Sequence, residues 1–460
     1  MGISAVKIKA LILIVFIFLS GCSKLPTKRS DKISILQGVT NSKEVEFSIV
    51  AAMGRSYRFE LRSEDGEIIL PEETKTVSRD FSRYVVHKLL FERDPSKIYN
   101  LYVFEADRIV DQRLVGRGQR DESKLKLAVA SCMSDFYPDH FKIWDVLAAQ
   151  NPEYLLMIGD NVYADQVGTR SLKITNPQII WERYIDARLT YPLFFQKKLI
   201  PTHAVWDDHD YGMNNSDSHF KYKEESREIF EAFFAQNLSE DDWTKGYGVG
   251  GLLSLGDFNL YFLDARSFRS PDPTGTHLGL DQTAWLYSRL KEEITPSLII
   301  KGDQFFGGHH PFESFEGQHL DNFQEFIGEL KKIPTPFVFL SGDRHMSEIM
   351  QFPRSLFGKP SFEITSSPLH AKIHSGDQIR NPWQVVSEHN HMNFVMIDNL
   401  AKDNHWFLDI VNFGENGEVF FKRELSVYIK DLQDNLKEQR KRRTGKRRYR
   451  KLRSKKRNRR

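Results

Sequence analysis

Leu156-Met157-Ile158-Gly159-Asp160-Asn161-Val162-Tyr163 decides the fold. An apolar run from Tyr154 to Ile158 stops at Gly159, a carboxylate follows at Asp160, and a phenol stands at Tyr163. This is the pattern of a buried strand that presents oxygen atoms at its C-terminal edge, where open α/β sheets bind ligands. Two later apolar runs end alike, in Trp206-Asp207-Asp208-His209-Asp210 and in Ser341-Gly342-Asp343-Arg344-His345. Taken singly, Asp160 fits a helix cap and Tyr163 a packing aromatic. Together, three acidic strand ends can converge on one metal centre, because a bound cation relieves the repulsion between adjacent carboxylates.

Outward from this stretch, strands and helices alternate. The spacing predicts strands at Leu125–Ala130, His203–Trp206, Asn259–Leu263, Ser297–Ile300 and Pro336–Leu340. It predicts helices at Phe141–Gln150, Pro177–Arg188, Glu224–Gln236, Asp281–Glu293 and Asp321–Lys332. That alternation argues for a layered α/β domain over 125–430. Phe362–Thr365 and Asn393–Ile397 add strands, and Trp406–Phe413 with Val419–Leu425 reads as a closing hairpin. Residues 32–118 read differently. Period-two runs such as Tyr57-Arg58-Phe59-Glu60-Leu61 are separated by turns such as Asp65-Gly66. About seven such strands would make a small all-β, Ig-like sandwich.

The ends are distinct from this body. Lys7 and Lys9 precede a continuous apolar run, Ala10 to Leu19, too short for a bilayer span of ~20 residues. Residues 1–22 therefore read as an export signal. They close in Leu19-Ser20-Gly21-Cys22, which resembles the lipobox of bacterial lipoproteins. That resemblance implies cleavage before Cys22, lipidation of Cys22, and an exported protein anchored to a bacterial membrane by a tether over 23–31. Cys132, the second of two cysteines, is then left without a disulfide partner. The net charge of +3 conceals an asymmetry: Lys437 to Arg460 holds 16 Lys or Arg and one acid, so the remaining body is 12 charges negative. Residues 437–460 are expected to be a disordered basic tail that attracts nucleic acid or anionic lipid.

Gly-Asp-x-x-Tyr at 159–163, Trp-Asp-Asp-His-Asp at 206–210 and Gly-Asp-Arg-His at 342–345 resemble the PhoD-like alkaline phosphatases of the calcineurin-like metallophosphoesterase superfamily. Ala130-Ser131-Cys132, the segment Phe262 to Arg269, and Leu278 to Leu286 extend the resemblance across roughly 125–412. The resemblance implies an αββα metallophosphoesterase sandwich behind the β-sandwich. It also implies phosphomonoester or phosphodiester hydrolysis by a hydroxide activated between Fe3+ and Ca2+. It makes Asp160 the shared ligand. Cys132, Tyr163 and His345 would complete the iron site, and Asp208 and Asp343 the calcium site, with Asp207 facing it. Asp303 stands where many members carry an amide and is a further candidate ligand. His209 takes the place of the residue that meets the phosphate or protonates the leaving group, and Arg266 and Arg269 are candidates for a fork on the phosphate. Members often carry an acid close after the Ser-Cys pair, whereas here Met133-Ser134 intervene before the candidate Asp135, and His309-His310 lie near the point where other metallophosphoesterases bind metal through a histidine. Two rivals stay open: a purple-acid-phosphatase-like enzyme with another metal pair, and a non-catalytic surface lipoprotein binding anionic polymers through its tail.

Overall fold

The computed structural model describes residues 31–38, 43–118, 121–168, 170–239, 242–292, 295–307, 310, 313–374 and 381–442. The expected export signal, Cys22 and its tether up to residue 30, His309, and tail residues 443–460 lie outside these. Among the described residues no helix is long and apolar enough to cross a membrane.

The chain is mixed α/β with an all-β N-terminal region. That region holds two four-stranded antiparallel sheets. One runs Ser34–Gln37, Glu44–Ala52, Tyr84–Glu92, Glu73–Val77; the other runs Ile68–Ile69, Tyr57–Ser63, Tyr99–Glu105, Arg108–Leu114. Their facing sides share Ile35, Phe47, Ile49, Phe59, Leu61, Leu89 and Leu101. Glu44–Ala52 is buried on both faces, which period-two polarity alone does not suggest. Its second face, with Leu36, Val50, Tyr84 and Val86, joins the main core of the molecule.

The rest of the chain builds two larger sheets. The six-stranded one runs Thr202–Val205, Tyr154–Ile158, Lys124–Ala130, Asn393–Lys402, His405–Gly414, Val419–Tyr428. Its first three strands are parallel and its last three antiparallel. The eight-stranded sheet is parallel through its centre, at Phe258–Phe262, Ser297–Ile300, Phe337–Ser341 and Ser361–Thr365. Alternation along these strands sorts their side chains. Leu298, Ile300, Val338 and Leu340 join Leu127, Val129, Leu156 and Ile158 of the other sheet in one core. Ile299, Phe337 and Phe339 instead pack against Leu286 and Leu290 of the helix Leu280–Glu292 and Phe326 and Leu330 of the helix Leu320–Lys331. Every one of these helices and strands lies within two residues of its predicted place at one end or both.

The expected disordered tail begins as ordered chain. Residues 432–442 are helical, Leu432 and Leu436 enter the main core, and Arg440 makes paired hydrogen bonds of 2.8 and 2.6 Å to Asp257.

Candidate metal centre

Parallel register brings the decisive loops together. Ala130 lies opposite Met157, and Ile158 opposite Val205, so Cys132, Asp160 and Asp207–His209 leave one sheet edge side by side. In the second sheet Phe262, Ile300 and Leu340 are level, which places Arg266, Asp303 and Asp343 just beyond a common edge. Glycines let the two edges meet. A Cβ on Gly159, at φ +99°, would stand 2.8 Å from the Asp207 Cβ and 3.0 Å from the Gly302 Cα. On Gly342 it would stand 2.5 Å from Ser131 Oγ and 2.9 Å from the Ile158 carbonyl.

Four candidate ligands turn sharply at these edges: Cys132, Asp160, Asp343 and His345 have φ of 57°, 50°, 64° and 50°. Left-handed backbone costs such residues of order 1 kcal/mol each, so the surrounding fold must hold it. Two hydrogen bonds do so directly. Met133 N donates to the Asp160 carbonyl at 2.8 Å, and His345 N donates to Ser367 Oγ at 3.0 Å.

Three sets of ligand atoms lie within 4.8 Å of one another: Cys132, Asp160 and His345; Asp160, Asp208 and His209; Asp207, Asp208 and Asp343. Asp160 belongs to the first two. Tyr163 Oη lies 3.1 Å from His345 Nε2 and so borders the first set. The other ring nitrogen, Nδ1, donates to the Lys372 carbonyl, which leaves Nε2 as the lone-pair nitrogen facing the cluster. Burial with the neighbouring His374 lowers the His345 pKa to about 3, so this imidazole is neutral. The donors fit cations. Burial, with neighbouring aspartates, pushes the Asp160 carboxyl well up, and burial with Glu313 does the same to Asp343. Burial also raises the Cys132 thiol and the Tyr163 phenol. One carboxylate oxygen on each of Asp207 and Asp343 is buried without a hydrogen-bond partner. Such an arrangement is costly for the protein alone and is relieved by a cation.

The neighbouring acids are distinguished by their partners. Burial raises Asp208, but Arg266, His209 and the Asn215 N–H outweigh it and hold the carboxyl at about 2. Asp210 accepts from Asp207 N at 2.6 Å and from Asn161 Nδ2 at 2.6 Å, so it fixes the turn. Asp135 is bound by Arg183 in a buried ion pair and takes no part in the cluster.

Two expectations are corrected. Asp303 is enclosed by Lys301 at 2.6 Å, Arg269 at 2.7 Å and His277 at 2.9 Å, and these three cationic or donor groups consume its carboxylate. Arg266 and Arg269 do not form a fork on the cavity wall. Arg266 is 0% exposed and its Nε donates to Asp207, while Arg269 is 1% exposed and bonded inward to Asp303 and Gln318. Both sit behind the acids and outside the cavity lining, although Arg266 Nη1 and Nη2 are buried without a hydrogen-bond partner.

A cavity of about 510 Å³ opens on the cluster and is lined by Tyr163, His209, Asp343, Arg344, His345 and Glu313. Ser171 and Asn214 reach it from the loops at 168–176 and 214–222. His310 also lines it, 3.6 Å from Glu313 and outside the three ligand sets. Sequence reasoning missed Asp165. Its carboxylate accepts from His209 Nδ1 at 2.7 Å and from Asn214 N at 2.9 Å. Burial disfavours charge on His209, but Asp208, Asp160 and Asp165 together raise its pKa well above the usual imidazole value. In the metal-free chain this favours the protonated imidazole, with Nδ1 tied to Asp165.

The sequence model of the PhoD-like phosphatase family matches residues 127–405, more than half of the chain and all three ligand sets. No curated protein sequence matches the chain. Among solved structures, the protein TT1561 of Thermus thermophilus is similar with a TM-score of 0.29 and 9% identity, over 53% of this chain and 89% of that one.

Proposed function

The chain belongs to the PhoD-like phosphatase family, and from that membership we propose that it is a metal-dependent phosphoric ester hydrolase working at the Asp160 cluster. One observation carries the reading: Asp160 belongs both to the set with Cys132 and His345 and to the set with Asp208 and His209, and Asp208 in turn belongs to an all-carboxylate set with Asp207 and Asp343. Cys132, Tyr163 and His345 offer a thiol, a phenol and an imidazole, donors that suit Fe3+. Asp208 and Asp343, with Asp207 beside them, offer carboxylate oxygens, which suit Ca2+. The αββα layering of a metallophosphoesterase, with the N-terminal sheets as a separate sandwich, is part of the same reading. So is export and anchoring through Cys22, for which the apolar run and lipobox-like sequence at 10–22 are the support.

When bound, the cations supply activation of a water and neutralisation of phosphoryl charge. The chain's own residues do the rest. Asp160, Asp208 and Asp343 fix the positions of the charges. Arg266 holds Asp207 by its Nε and prevents that carboxylate from repelling the substrate further. His209, protonated and oriented by Asp165, hands its Nε2 proton to the departing oxygen, as a general acid does.

The test is metal content of the purified full chain together with hydrolysis of a chromogenic monoester and a diester at alkaline pH. Iron with calcium and turnover of either ester supports the proposal; no turnover of either with both metals loaded overturns it. Zinc or manganese alone overturns the metal assignment. Asp165→Asn provides a second expected result. Loss of that carboxylate lowers the His209 pKa, so the limb where activity falls with rising pH moves to lower pH. The maximal rate drops about 10- to 100-fold, as for other orienting partners. An unmoved limb in the pH profile of kcat/KM would exclude His209 as the acid.

A further inference from the structure

The corrected positions of Arg266 and Arg269 leave open which side chain of the chain itself meets the phosphate. We propose that Arg344 grips the non-bridging oxygens of the substrate phosphate, steadied by Glu313. The inference rests on the phosphoesterase reading and names a substrate contact within it.

Arg344 sits between two candidate ligands, Asp343 and His345, both with left-handed backbone. Its own amide donates to the Gly342 carbonyl at 2.7 Å, which closes a tight turn. The turn sets the guanidinium on the wall of the same cavity as Tyr163, His209, Asp343 and His345. Among the described residues it is the arginine that lines this cavity. The side chain is held rather than loose: it is 6% exposed, and Nη1 donates to Glu313 Oε2 at 2.9 Å. Nε, in contrast, is buried without a hydrogen-bond partner. A guanidinium offers five N–H donors in a planar fork, and the Glu313 bond uses one edge of it. A buried donor left unmatched costs free energy, which a phosphate oxygen would recover. The match is specific to an oxyanion, because Arg–phosphate hydrogen bonds are charge-assisted and can be bidentate. Arg344 stands on this wall beside the carboxylates of Asp343 and Glu313, and His209 and Lys372 are further cationic groups of the same cavity.

Lys372 lines the cavity as well, yet its carbonyl is what fixes the His345 ring. An ammonium there would act as a point charge without the fork. Arg344 is the side chain with both the position and the geometry.

Inorganic phosphate is the probe. Wild type, Arg344→Ala and Arg344→Lys are loaded with iron and calcium and compared for phosphate inhibition, kcat/KM and metal content. R344A is expected to weaken phosphate inhibition and lower kcat/KM by roughly 10- to 100-fold, the range for losing a hydrogen bond to a charged partner. Metal content is expected to stay at the wild-type level. R344K, which keeps charge without the fork, is expected to fall between the two, and it carries the test if R344A does not fold. A lowered melting temperature with unchanged phosphate inhibition would mean that Arg344 only holds Glu313, and would overturn the proposal. If the wild type hydrolyses neither ester, phosphate binding by calorimetry decides for Arg344 separately: tighter binding to wild type than to R344A supports it, and equal binding overturns it.

Discussion

Asp160→Asn is expected to lose its bound metals and its activity together, with kcat/KM falling by at least about 10³-fold, on the scale of losing preorganised charge stabilisation. The substitution is a clean one. Asparagine keeps the size of aspartate and tolerates left-handed backbone, so the φ of 50° at this position need not change. What it removes is one negative charge from a place where Cys132 Sγ lies 3.6 Å away and Asp207 and Asp208 both raise the Asp160 pKa. In metal-free protein the variant should fold at least as stably as wild type, because the amide is neutral without the uptake of a proton that the buried Asp160 carboxyl requires. Loss of iron with preserved folding, read by elemental analysis and circular dichroism, is the expected pair of results. Iron retained at wild-type stoichiometry would refute the shared role of Asp160.

Arg188→Ala is the largest expected effect on stability, a loss of about 3–5 kcal/mol, the range for removing a large buried side chain and stranding its hydrogen-bond partners. Arg188 ends the helix Pro177–Arg188, where a cation also suits the helix dipole. From there it ties three parts of the chain. Nε donates to Ser34 Oγ at 2.9 Å, Nη2 to the Ser48 carbonyl at 2.7 Å, and Nη1 to the Phe233 carbonyl at 2.6 Å. Ser34 and Ser48 belong to the N-terminal sheet, so this one guanidinium joins that sheet to the helices behind the six-stranded sheet. Burial draws its pKa down to about 9, which leaves it charged at neutral pH. The buried pair of Lys88 with Glu46, 2.8 Å apart, lies in the same contact, with Lys88 also donating to the Glu231 carbonyl at 2.8 Å. Urea unfolding should show a lower midpoint for Arg188→Ala; an unchanged midpoint would show that the contact contributes little.

Particular residues show why part of this was legible in sequence. A buried strand must be apolar until it reaches the sheet edge, and the first polar residues beyond Gly159 and Gly342 then mark that edge. Asp160 and Asp343 were readable for that reason, although nothing local says that they leave different sheets. Short strands interrupted by turns were not readable. Trp243–Lys245 and Gly251–Leu255 flank a turn containing Gly246, Gly248 and Gly250, and their few residues carry no clear period. Ser347–Phe352 includes Glu348, a charged residue that is 0% exposed and satisfied by Gln304 at 2.6 Å and Gln384 at 2.7 Å, partners distant in sequence. The arginines show the same limit. Arg266, Arg269 and Arg344 all sit near strand ends, and only the packing decides which of them lines the cavity. Asp165 became recognisable only once His209 stood against it.

The burial of the candidate ligands has a consequence in protons. Cys132, Tyr163, Asp160 and Asp343 all have pKa values raised above their ordinary ranges, with burial as the leading cause. Such groups hold their protons at a pH where the same side chains in water would have given up more of them. A cation must displace those protons to bind, so uptake is an exchange of ions. Each raised pKa makes the exchange easier as pH rises and harder as it falls. Loading in a weakly buffered solution should therefore acidify it, and apparent affinity should climb with pH. A pH electrode during titration with calcium would register the trade directly, and a flat trace would show that these groups had already lost their protons.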